Sequence, residues 1–186
     1  MPKTIAYINE EPTDIANAEA LIGPIHKYAD VQIASILNKL RVCTMFASWI
    51  VMNCLEWLTP EPALDSMWQY SRYVEQTTID DICSSVPFHL NWESPERKTK
   101  APDQVEIIAD LVGGLSLVWP LGGAACSLRA SAKQKAWIWG RLRTIADECG
   151  LEQASLLDTN VKDVLESFLN RPPNCIFSEN ADSLLQ

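Results

Sequence analysis

A chain of 186 residues that is 47% hydrophobic and 21% charged has the composition of a single globular domain, large enough to bury a substantial core. Its formal charge of -9 and isoelectric point near 4.7 argue against direct binding of nucleic acid, which needs clustered lysine and arginine. The opening residues, MPKTIAYINEEPTD, hold no apolar run of the kind a secretion signal requires, so a cytoplasmic protein is expected.

Residues 1–12 are acidic and unpatterned and read as a peripheral arm. A short helix is expected from Asp14 to Ile22, capped by Thr13 and stopped by Gly23-Pro24. Pro24 then suits the first position of a long helix reaching Leu58. In it Ile25, Tyr28, Ile33, Ile36, Leu37 and Leu40 form a one-sided stripe. Beyond Arg41 the pattern becomes apolar all round, VCTMFASWIVMNCL, which is too short to span a bilayer and fits a buried central helix.

Thr59-Pro60-Glu61-Pro62 breaks that helix. A second long helix is expected from Ala63 to about Ser84, ending before Pro87 because a residue preceding proline avoids the helical region. Residues 88–102 read as an exposed loop of a length usually reserved for function. Asp103-x-x-Glu106 is a capping box leading into Leu111–Leu128, an uncharged run with four glycines. Pro120 should kink or interrupt it. Those glycines and the proline make it a poor membrane span and a good buried helix pair, with Trp119 marking the bend toward any pocket. Ser131-x-x-Gln134 is a second capping box, opening a helix to Gly150 that carries Trp137, Ile138, Leu142, Ile145 and Cys149. The basic residues Arg129 to Arg143 on it read as a solvated face. A last helix runs from Asn160 to Pro172, and residues 174–186 form a second arm. No stretch shows β alternation. The expectation is an all-α, single-domain bundle of about six helices over residues 1–186, with two long helices and a Pro-interrupted central one.

Six cysteines, at 43, 54, 83, 126, 149 and 175, form no CxxC pair, so they read as reduced and no metal site is expected. No P-loop, GxSxG or GxGxxG motif is present, and no cofactor is expected. The adjacent carboxylates Asp80-Asp81 and Asp147-Glu148 diverge by about 100° on a helix and read as solvated. Two groupings could bear chemistry. Trp57, Trp68, Arg72 and Tyr73 flank the 59–62 break, and the i,i+4 spacing of Trp68 and Arg72 lets guanidinium and ring stack. His89, just past Pro87, could serve as acid or base.

Three segments carry a resemblance. Ile82-Cys-Ser-Ser-Val-Pro-Phe-His-Leu90 resembles the I-C-x-S-V-P-[FY]-x-L run that ends a long helix in the C-terminal regulatory region of fungal Zn₂Cys₆ transcription factors. Gly113-Gly-Leu-Ser-Leu-Val-Trp-Pro-Leu121 is similar to that family's G-G-x-x-L-x-W-P-L segment, and Trp137-Ile-Trp-Gly-Arg-Leu-Arg-Thr-Ile-Ala146 to its W-I-x-x-R-L-x-x-I run. The resemblance covers about residues 35 to 158. The cysteine cluster with which those factors hold zinc and read DNA has no counterpart here, where Cys43 and Cys54 stand eleven apart.

Two functions follow. One is a stand-alone, cofactor-free helical enzyme of fungal secondary metabolism, binding an apolar intermediate for cyclisation or isomerisation, including a Diels–Alder type closure. Its catalytic residues would be His89 and Arg72, with substrate against Trp57, Trp68, Tyr73 and Trp119. The other is a non-catalytic regulatory protein, cytoplasmic or nuclear, which binds a metabolite or a partner protein, as the resemblance implies. Small helical domains with wide apolar faces also tend to dimerise.

Overall fold

Where the backbone hydrogen bonds go explains most of the architecture. In a computed structural model, which describes residues 2–8, 13–18, 20–21, 23–91 and 104–149, the fold is all-α apart from one two-stranded sheet. Strands β1 (Lys3–Ile8) and β2 (Gly23–Lys27) pair antiparallel, with Lys3 opposite Lys27 and Ile8 opposite Gly23 and an irregularity between Thr4 and Ala6. This hairpin replaces the helix start expected at Pro24. Gly23 has φ +136, outside any helical conformation, and Pro24 has no N–H to give a helix or an inner strand. The helix expected over 14–22 is reduced to a turn in which Asp14 accepts from Asn17.

Helix α1 (Val31–Leu58) starts where Asp30 accepts from Ile33 N at 2.7 Å, and it ends at Thr59, just before Pro60. At 1.5 Å per residue it is about 42 Å long. After a single 3₁₀ turn at Pro62–Leu64, Asp65 caps α2 (Ser66–His89) through the N–H groups of Met67 and Trp68. Contrary to expectation, α2 continues through Pro87. Only one interior bond is lost so close to the end, and Leu90 N still donates to Val86 O at 3.1 Å. Asn91, at φ 52, then turns the chain out of the helix.

Helix α3 (Gln104–Cys126) likewise continues through Pro120 as one helix, which corrects the interrupted pair. Leu117, Leu121 and Ala124 are fully buried on either side of the proline, and their packing holds the turn that lost its bond. The loop expected over 88–102 starts later than its spacing suggests, because Phe88 and His89 still belong to α2; its part beyond Asn91, the capping box at Asp103, the helix after Asn160 and the C-terminal arm lie outside the described residues. Helix α4 (Ala132–Cys149) opens with the expected reciprocal box: Gln134 N donates to Ser131 Oγ at 3.1 Å, and Ser131 N to Gln134 Oε1 at 2.9 Å. Ser131→Ala should therefore cost about 1 kcal/mol, read as a Tm lower by a few degrees in thermal unfolding.

The core lies where α2, α3 and α4 meet: Ile79, Ile82, Val86, Leu117, Leu121, Trp137, Ile138 and Leu142 are essentially sealed from water. Trp137 and Arg141 also pin residues 13–18, donating to Ala18 O at 2.8 Å and Ala16 O at 2.9 Å. Arg141 is thus buried, not on the solvated face that the basic run suggested. Helix α1 departs most from expectation. Its buried stripe is Ala34, Asn38, Val42, Met45, Ser48 and Met52. Ile33, Ile36 and Leu40, the stripe that looked core-facing, point outward.

Candidate functional site

His89 sits at the junction of α1, α2 and α3, only 1% exposed. Its hydrogen bonds can be ordered by elimination. Ser116 Oγ gives its one proton to Gly113 O at 2.7 Å, so at 3.0 Å it must accept from His89 Nδ1. His89 Nε2 then carries no proton and accepts from Asn38 Nδ2 at 3.2 Å. The amide's orientation is set by Arg41, whose Nη1 donates to Asn38 Oδ1 at 2.8 Å, while Asn38 Nδ2 also donates to Ser85 Oγ at 2.9 Å. Arg41 is held in turn by the Tyr28 hydroxyl at 2.8 Å and by Asp81 at 3.1 Å. A directed chain thus runs from a guanidinium to a helix carbonyl, with every donor matched.

Burial, assisted by the nearby Arg41 charge, depresses the His89 pKa to about 4, so the ring is neutral at physiological pH. Protonating Nε2 would set two donors against each other, because the Asn38 amide cannot turn without abandoning Arg41. With both nitrogens engaged and no exposed surface, this histidine fixes the mutual register of three helices. Buried polar groups are best attested in that role.

The other expected site residues lie elsewhere. Seventeen positions of α2 separate Arg72 from His89, about 25 Å along the axis. Arg72 does stack as anticipated, its guanidinium 5.8 Å from the Trp68 ring centroid. Arg129 approaches the same ring at 5.4 Å, and Trp68 Nε1 donates to Glu56 at 3.3 Å. Trp68 is buried, but Trp57 and Tyr73 are well exposed, and Trp119 is 66% exposed on the outside of α3 rather than facing a pocket. These six residues therefore do not converge on one cavity.

A cleft of about 230 Å³ lies between the hairpin and α2 and α4, lined by Leu21, Pro24, Asp80, Cys83 and Gln134 among others. It is smaller than the roughly 300 Å³ at which small-molecule sites begin. Among the described residues no group of three or more His, Cys, Asp or Glu comes together to hold a metal ion. None of the helices there is long and apolar enough to cross a membrane.

What the structure does build is a surface. On the face of α1 opposite its buried stripe, Ile33, Ile36, Leu40, Cys43, Ala47, Ile50, Cys54 and Trp57 all lie exposed. They alternate steps of three and four, the heptad spacing of a helix that packs against another helix. Flanking positions are nearly uncharged: Leu37, Thr44, Phe46, Val51, Asn53 and Leu58, with Lys39 the one charge. Leu111, Val112, Leu115 and Trp119 add a second exposed apolar stripe on α3. Cys43 and Cys54, expected in the core, are exposed members of the α1 seam.

No family model matches the chain, no curated protein matches its sequence, and no solved structure matches its fold.

Sequence reasoning missed Asn38, Ser85, Ser116 and Arg41 as partners of His89. One signal was available: Asn38 and Ser48 fall at the spacing of Ala34, Val42, Met45 and Met52, so α1 has a second stripe that is less hydrophobic than the first.

Proposed function

We propose that this chain is a non-catalytic, transcription-factor-like regulatory module that docks a protein partner on the open face of α1. The exposed heptad seam carries this reading. An exposed apolar face about 36 Å long, from Ile33 to Trp57, is the signature of a contact surface, because isolated domains keep such patches small. The resemblance of residues 82–90, 113–121 and 137–146 to a family of regulatory domains supports the same function. The cyclase or isomerase reading calls for His89 and Arg72 around one apolar chamber, a demand that their separation along α2 does not favour.

Chemical cross-linking from Lys39, the one charged side chain of the seam, tests the proposal inside the producing cell. Cross-links to another polypeptide are expected, lost in Leu40→Glu and retained in Arg72→Ala. Cross-links that form only within a single molecule, with no species above the mass of one chain, would overturn the docking role. So would turnover of an apolar polyene or terpenoid by the purified protein that disappears in Arg72→Ala.

A further inference from the structure

The geometry points to a second copy of this chain as the occupant of the α1 seam, in an antiparallel, two-fold symmetric helix pair. This rests on the reading of α1 as a docking face and adds the identity of the partner. The seam is complementary to itself when reversed. With Cys43 opposite Ala47 of the second copy, Leu40 meets Ile50, Ile36 meets Cys54 and Ile33 meets Trp57, so every layer joins an a to a d position, as antiparallel pairing requires. The small residues fall together at the centre, where the helices must approach most closely, and the large ones fall toward the ends. Phe46 lies beside the two-fold axis and meets its own counterpart.

Charge permits the pairing too. In this register Lys39 meets Asn53, so no like charges face each other across the seam despite a chain charge of -9. The area is sufficient. The large side chains of this face, each between 43% and 77% exposed, offer on the order of 700 Å² of apolar surface. A standard interface buries roughly 800 Å² per partner.

The test uses the full chain and three readouts: mass by light scattering, labelling of Cys43 and Cys54 by a thiol reagent mapped by mass spectrometry, and cross-linking by oxidation. A dimer is expected, with both thiols slow to label. Leu40→Glu combined with Ile50→Glu should weaken association by a hundredfold or more, on the order of two hot-spot residues, and speed labelling while helicity is unchanged. Ile36→Cys should oxidise to a disulfide with Cys54 of the other copy. Within one helix those positions stand about 27 Å apart and cannot bridge. Native Cys43–Cys43 and Cys54–Cys54 bridges between copies would mean parallel pairing and overturn the register. A monomer that labels rapidly would overturn the second copy as occupant while leaving α1 open for another protein. A monomer with both thiols protected would mean that the chain covers its own seam, and both readings would fall.

Discussion

Gly113→Ala is expected to destabilise the protein by about 3 kcal/mol or more, a loss of roughly 10 °C in Tm, and it should be among the most damaging single-methyl additions in the chain. A Cβ at this position would run into the carbonyl oxygen of His89, with the carbonyl carbon 3.1 Å away. The obstacle is backbone, at the end of a packed helix, so it cannot rotate aside as a side chain would. Either α3 moves away from α2 or the last turn of α2 opens, and both outcomes pull Ser116 away from His89. Gly123→Ala is the matched control ten residues along the same helix. Its Cβ would meet Met45 Cε at 3.3 Å and Val42 Cγ1 at 3.7 Å, and the end of a thioether yields readily. There the gain of roughly 0.5–1 kcal/mol from replacing a helical glycine should offset most of the crowding. Thermal unfolding of the two variants beside the parent decides the matter. Equal and small shifts would mean that α2 and α3 do not touch as described.

The contrast between these glycines shows what a linear reading can and cannot reach. The helical class, the capping box at Ser131 and the α4 core positions follow from local spacing, and local spacing was visible. The crossing of α2 and α3 at Gly113 was not, because a glycine in an apolar run looks the same whether it faces a backbone carbonyl or a methionine. Pro87 and Pro120 misled for a related reason. The cost of a helical proline is local, whereas the burial of Val86, Leu117 and Leu121 that outweighs it is tertiary. In α1 the stronger apolar periodicity belonged to the open face. The weaker one, interrupted by Asn38 and Ser48, faced the core, where the Asn38 amide finds its partners Ser85 and His89 on α2. Hydrophobic patterning ranks faces by apolarity and does not reveal which face meets the rest of the chain. The candidate residues fared accordingly. The Trp68–Arg72 stack was legible because both lie on one helix at i,i+4, while the surroundings of His89 come from three helices far apart in sequence.

Because His89 is buried neutral, mild acid should begin to destabilise this protein before most of its carboxylates are titrated. The histidine's pKa is about 4 in the fold against 6.5 for the free side chain, so between those values the unfolded chain binds more protons than the native one. The contribution is fully present above pH 6.5 and is lost progressively as the pH falls toward 4. It amounts to about 3 kcal/mol across the window, at 1.36 kcal/mol per pKa unit. His26, buried beside Tyr28 and shifted in the same direction by desolvation, adds to the slope. Glu75 acts the other way. Burial raises its pKa, with only Ser127 and Arg129 opposing, so its protonation on acidification favours the fold and shallows the curve at the acid end. Denaturant unfolding at a series of pH values between 4 and 7.5 measures the sum, and His89→Gln isolates the histidine's share. That variant should be less stable at pH 7, since Asn38 and Ser116 lose a well-placed partner, yet it should lose far less on going to pH 4.5. A variant that is destabilised but keeps the parent's pH slope would show that His89 is not the group titrating, and would leave His26 as the source. The direction of the effect also bears on the α1 seam. Protonating His89 breaks its bond to Asn38 on α1, so acid should loosen α1 from α2 before the α2–α4 core gives way. Hydrogen exchange at pH 5 should accordingly show α1 amides losing protection ahead of those around Trp137 and Leu142.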